Sequence, residues 1–200
     1  DGTAWATAFP TVQAALNVAT NADSVWVAQG TYFENVTISN GVALYGGFVG
    51  NELVLEARNW ITNRTILDGR QSNTVVKVAQ GASTTTRIDG FTIRNGRASY
   101  SGGIDCDRSS VTIVNNRILW NVTTNGGAGI GVYSGSPVIA SNLIQGNTAN
   151  GSFAGGAGID CSSSSAIIAN NRIVANSSSG AGPSAGGISC WGGSPQIYNN

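Results

Sequence analysis

The sequence predicts an all-β chain wound as a right-handed parallel β-helix of three-strand coils, closed at its N-terminal end by an amphipathic helix. Three observations carry this. First, one unit recurs: VTIVNNRILWN from Val111, VIASNLIQGN from Val138, IIANNRIVAN from Ile167 and QIYNN from Gln196. Second, two landmarks move in lockstep: Asn116, Asn142, Asn171 and Asn200, and Ile104, Ile130, Ile159 and Ile188, both step by 26, 29 and 29 residues. Third, every unit consists of short alternating runs of Ile and Val broken by Gly, Asn and Ser, too short for helical repeats.

If each unit is one coil, equivalent residues stack along the axis and inward positions form columns. Ile113, Ile139, Ile168 and Ile197 make one column, the Gly-Ile isoleucines a second, and Ile118, Ile144 and Ile173 a third. Three aliphatic columns imply three strands per coil around a triangular core. The right hand follows from the bias of parallel crossovers.

In chain order, residues 1–24 read as an N-terminal cap. Val12, Ala15, Leu16 and Ala19 fall at helical i, i+3, i+4, i+7 spacing, with Pro10 suited to the first turn. A helix there covers the open sheet edges that end a solenoid. Residues 25–200 read as β-helix coils, starting in the SVWVA segment and continuing through NVTI and GVALYGGF. The sequence stops on a ladder Asn, so the C-terminal end is expected to be open, either continuing into more coils or docking on further copies.

Each coil needs a tight bend, and Gly and Asn enter left-handed backbone at least cost. The expected structural ladder is Gly46, Gly69, Gly90, Asn116, Asn142, Asn171 and Asn200, with Gly and Asn exchanging at one column. Cys106, Val132, Cys161 and Cys190 each lie two residues after a Gly-Ile isoleucine, so alternation turns them inward as small apolar fillers. The same alternation from Ile118 points Trp120 inward.

Composition removes several functions. Ten basic and ten acidic residues leave no net charge, and only 10% of the chain is charged against roughly 25% in an ordinary domain, so no nucleic-acid footprint is expected. No apolar run approaches the ~20 residues of a membrane helix, so this segment is not expected to insert. Histidine is absent, and the three cysteines lack metal spacing, so no metal and no cofactor are expected.

GGAGI at 126–130 and 155–159, with IxxN at Ile118 to Asn121, Ile144 to Asn147 and Ile173 to Asn176, resembles the GGA[ILV] and FxxN repeats of polymorphic outer membrane proteins. Here Ile stands for Phe and an extra Gly precedes the Ile. The opening DGTAWATAFPTVQAALNVA, DSVWVAQGTY and LYGGFVGNE is similar to the start of many secreted bacterial β-helix proteins of the pectin-lyase-like superfamily. The resemblance implies the fold and a secreted or cell-surface setting, as an adhesin, glycan-binding or surface-assembly module.

Pectate lyases and polygalacturonases share that superfamily, so a lyase or hydrolase is the alternative. Asp105 and Asp160 both follow a Gly-Ile isoleucine and face outward two coils apart, ~9.6 Å by stacking, near the about 6.5–9.5 Å of inverting carboxylate pairs. Arg108 would accompany them. No Asp-Asp pair, His-Gly or Arg-x-Lys motif of polygalacturonases is present. A binding face uses these positions better: Asp107, Tyr133 and Trp191 share one outward column beside Asp105 and Asp160, and aromatic rings with carboxylates suit sugars. The expected partner is surface or extracellular polysaccharide. The loops after Asn121, Asn147 and Asn176 vary in length at one corner, as a solenoid's recognition edge does.

Overall fold

The computed structural model describes residues 1–179 and 184–200, in which strands stack in parallel around one apolar core. Three sheets of seven, six and six strands form the walls. On the first wall Ile88 pairs with Ile113, which pairs with Ile139, followed by Ile168 and Ile197. On the second, Ile93, Ile118, Ile144 and Ile173 are in register. On the third, Val76, Ile104, Ile130, Ile159 and Ile188 are in register. All three expected columns therefore exist. Ile88, Ile93, Ile104, Ile113, Ile118, Ile130, Ile139, Ile144, Ile159 and Ile168 are fully buried, each side chain contributing about 1.5–3 kcal/mol of apolar burial.

The coil is richer than a triangle. Arg97–Ala98, Val122–Gly126, Thr148–Ala154 and Ser177–Ser178 form a fourth, four-stranded sheet where variable loops were expected. Two things order it. Thr123 and Ala149 point in, Ala149 joining Ala128 and Ala157 in a small satellite core. The longer second copy is absorbed by a register shift between Thr123 and Asn125, so insertion makes a bulge and leaves the stack intact. The loop after Asn176 lies partly outside the described residues.

The Asn ladder is present, with a different physical basis. Asn116, Asn142 and Asn171 are buried, and each Oδ1 accepts the backbone N–H of its counterpart one coil earlier: Phe91 to Asn116 (2.9 Å), Asn116 to Asn142 (2.9 Å), Asn142 to Asn171 (3.0 Å) and Asn171 to Asn200 (3.0 Å). Each Nδ2 donates to main-chain carbonyls, as Asn142 does to Ile113 (2.9 Å) and Ala140 (3.0 Å). The left-handed residue is the one before: Asn115, Ser141, Asn170 and Asn199, with φ of 58, 57, 57 and 54°. Gly90, at φ 85°, is level with Asn115, and Gly46 lies one coil below Gly90. Gly90 therefore belongs to the bend column and not to the Asn column, whereas Gly46, although level with it, is not left-handed, the positive φ of that coil falling one residue later on Gly47 at 98°. Gly69 follows Asp68, which pairs with Arg94 on the second wall, so it belongs to a different corner, level with Asn95 and Trp120.

That second corner carries its own ladder. Asn121 Oδ1 accepts from Gly96 N (2.8 Å), Asn147 from Asn121 N (3.0 Å) and Asn176 from Asn147 N (3.0 Å). Its bend residues are Asn95, Trp120, Gly146 and Ala175, all at positive φ. Trp120 therefore breaks the alternation that pointed it inward. A left-handed residue turns its side chain out of the strand's pleat, and the indole is 51% exposed, lying over Gly146. The two repeat motifs also interlock. A Cβ on Gly103, Gly129 or Gly158 would clash with the carbonyl of the next glycine in the column, and would press on the Ile and Asn of the adjoining IxxN. Only Gly lets the coils approach there.

Cys106 and Cys161 are buried core residues, as expected, whereas Cys190 is exposed; it is in register with Cys161 on the edge strand of the third wall. All three thiols are free.

At the other end a helix spans Val12–Val18, burying Val12 and Leu16 against the core. Thr11 is its N-cap, accepting from Ala14 N, so Pro10 lies just before the helix rather than in its first turn. Glu34 supplements the cap, its carboxylate accepting from Val12 N (2.9 Å) and Gln13 N (3.0 Å). Beside it Trp5, Trp26 and Phe48 pack together, Trp26 and Phe48 stacked at 4.8 Å.

The segment between the strands Ala43–Phe48 and Thr65–Asp68 delivers Arg58, which serves the early coils as the amides serve the later ones. Its guanidinium pairs with Asp89 at 2.8 Å and donates to the Gly46 and Asp89 carbonyls, with both side chains buried. Tyr45 and Trp60 flank it at 5.0 and 4.7 Å.

Candidate functional site

The third wall turns two columns outward. Register places Lys77, Asp105, Gly131, Asp160 and Ser189 in one, and Asp107, Tyr133, Ser162 and Trp191 in the other. The structure thus brings Asp105, Asp107, Tyr133, Asp160 and Trp191 onto one face. Asp105 and Asp160 stand two coils apart, ~9.6 Å by the strand spacing.

Tyr133 departs from expectation. It is half-buried, because the one residue separating the two carboxylates in its neighbouring column is Gly131. With no side chain on Gly131, the Tyr133 ring folds back over it; Cε2 and Oη lie 3.0 and 3.1 Å from the point a Cβ would occupy. The phenol donates to the Tyr100 carbonyl at 3.1 Å, and the two tyrosine rings meet edge to face at 6.5 Å. Tyr133, together with the Ser101 hydroxyl that comes closest to the same point, therefore fills the space over Gly131 between Asp105 and Asp160.

Both carboxylates are held by local donors. Ser101 Oγ donates to Asp105 Oδ1 at 3.2 Å, and Gly156 N donates to Asp160 Oδ1 at 3.2 Å. Burial pushes both carboxyls above the ordinary range; Ser101 and Lys77 oppose the rise at Asp105, and Gly156 and Ser189 oppose it at Asp160. Burial, then the field of Asp160, raises the Tyr133 phenol strongly. Asp107 is nearer solvent, accepting from Gln80 Nε2 and lying 3.6 Å from Arg108.

The exposed aromatics sit on either side of this cluster. Tyr100 is 65% exposed, and Trp191, two coils above Tyr133, is 77% exposed. Tyr100 was not singled out from sequence: it precedes the SGGI unit in a loop with no repeated counterpart. The face can stack sugar rings on Tyr100 and Trp191 and hydrogen-bond hydroxyls to Asp105, Asp107 and Asp160. No group of three or more His, Cys, Asp or Glu able to hold a metal occurs among the described residues.

Comparison with known families agrees with this architecture. A family model described as a right-handed β-helix region matches residues 14–200. The chain belongs to this right-handed β-helix family. Family membership fixes the hand of the solenoid and is consistent with the pectin-lyase-like superfamily. Among curated proteins and among solved structures, none matches the chain.

Proposed function

We propose that this β-helix is a non-catalytic module of a secreted or cell-surface protein that binds extracellular or surface polysaccharide, in the manner of an adhesin. The observation that carries the reading is the third wall, where Tyr100 and Trp191 stand exposed on either side of a carboxylate cluster packed around Tyr133. The resemblance of GGAGI and IxxN to polymorphic outer membrane protein repeats supports the surface setting. A glycan lying along the axis meets a new outward side chain every ~4.8 Å, so a solenoid wall reads a linear polymer by repetition.

Catalysis across Asp105 and Asp160 is disfavoured by the same geometry. An inverting pair must leave room between its carboxyls for sugar and water. Tyr133 occupies that room. A glycan array with wild type and a Tyr100→Ala, Trp191→Ala double variant tests the binding face. Loss of the wild-type hits supports it, and unchanged hits remove it. Release of reducing or unsaturated sugar ends, abolished by Asp160→Asn, would put the lyase or hydrolase reading in its place.

A further inference from the structure

The second wall carries a separate set of charges. Arg117, Leu143 and Arg172 lie in register in one outward column, which sets the two arginines two coils apart, ~9.6 Å. Neither has a carboxylate partner among the described residues: the ion pairs there are Arg58 and Arg87 with Asp89, Arg94 with Asp68, and Arg108 with Asp107. Arg64 approaches the same strip from below, tethered through Nη1 to the Trp60 carbonyl at 3.1 Å. Burial, then the neighbouring charge of Arg117, lowers its pKa. Three unpaired guanidinium groups on one wall repel one another unless an anion joins them.

The chemistry of that anion can be read from the residues. Guanidinium forks bind oxyanions bidentately, and one carboxylate's two oxygens are used up by a single fork. Register sets Arg64 two coils below Arg117 and two residues to one side of its column, so a tetrahedral group with at least three acceptor oxygens can take the Arg117 fork and still offer an oxygen toward Arg64. Arg172 calls for a second such group further along the axis. Across the strip, three residues along the chain from Arg117, the half-exposed Trp120 indole packs beside Gly146 and offers an apolar surface to a sugar.

We infer that the Arg64, Arg117, Arg172 and Trp120 strip binds a sulfated polysaccharide running along the solenoid axis. This site lies on a different wall from Tyr133 and Trp191 and does not rest on their role. The zero net charge of the chain weighs against a nucleic-acid ligand, which calls for a broad basic field.

Calorimetric titration of the whole chain with dextran sulfate, and with neutral dextran of equal length, tests the inference. Dextran sulfate binds, neutral dextran does not, and the affinity falls as salt is raised. Replacing Arg117→Gln with Arg172→Gln weakens binding about tenfold or more, the loss expected of charge-assisted hydrogen bonds. The Arg117→Lys, Arg172→Lys pair keeps the charge but not the forks, and it falls between these two. Arg97→Gln removes an exposed cation on the fourth sheet and leaves binding unchanged. The inference is overturned if the double Gln variant binds like wild type while the thermal melt shows it folded, or if Arg97→Gln loses as much. Tighter binding of polygalacturonate or single-stranded DNA than of dextran sulfate also overturns it.

Discussion

Replacing Asn142 separates two explanations of the ladder. If the Asn served a left-handed bend, Gly would replace it without loss. In the structure the bend belongs to Ser141 at φ 57°, and the Asn142 amide works through its hydrogen bonds. Oδ1 takes the Asn116 N–H at 2.9 Å, and Nδ2 donates to Ile113, Ala140 and Asn171 at 2.9, 3.0 and 3.0 Å, with the residue only 2% exposed. Removing the side chain strands the Asn116 N–H in the core, at about 1–3 kcal/mol, and deletes four further bonds, three from Nδ2 and one accepted from Asn116 Nδ2, worth about 1 kcal/mol each when net. The total is about 5–7 kcal/mol for Asn142→Ala, and Asn142→Gly loses at least as much. At about 2–4 °C per kcal/mol for a chain of this size, the melting temperature falls by at least about 10 °C. Circular dichroism melts of both variants, with Ser141→Gly as control, provide the assay. Ser141→Gly is neutral or slightly stabilising, since Gly relieves the positive φ. An Asn142→Gly variant that melts with wild type would refute the amide account.

The remaining predictions concern packing, the buried ion pair and pH. Gly129→Ala drives a Cβ into the Gly158 carbonyl and costs more than about 2 kcal/mol, seen as a lower urea midpoint. Arg58→Ala leaves Asp89 with a buried uncompensated charge apart from Arg87 and costs about 3–5 kcal/mol by the same measurement. For Asp160, burial raises the folded carboxyl above 3.8, so its contribution to stability is present below the unfolded value and is lost as pH rises through the raised one. Asp160→Asn should therefore melt at or above wild type at about pH 7, with the difference closing near pH 3. Asp68 acts in the opposite sense. Burial works against its ionisation, but the Arg70 N–H, Asn95 and Arg94 outweigh it and lower its pKa, so its stabilisation is present above 3.8 and lost as pH falls through the lowered value. Asp68→Asn should thus be destabilising at about pH 7 and near wild type in strong acid.

The columns were legible in the sequence because inward positions repeat at coil spacing whatever the loops do, so Ile104, Ile113 and Ile118 each announced a wall. What the sequence hid lies where alternation fails. Trp120 sits two residues after a buried Ile, and only the left-handed backbone at that corner sends it outward. The ladder Asn and its left-handed neighbour are adjacent in sequence, so spacing could not say which did which. Gly69 resembled Gly90 in its Asp-Gly context, but one bend closes the first wall and the other the second. At the candidate site, register put Asp105, Asp107, Tyr133, Asp160 and Trp191 on one outward wall. It could not show that Gly131 lets Tyr133 fold back between the carboxylates, since that depends on a missing side chain one column away.

The central functional claim is that the third wall holds a glycan without cutting it. Its most direct test is to incubate the chain with a polysaccharide it retains, and to measure both the bound fraction and the polymer's size distribution. The polymer is expected to be retained by wild type, to be lost by the Tyr100→Ala, Trp191→Ala variant, and to be recovered at full length. Shortened polymer, produced by wild type and not by Asp160→Asn, would contradict it.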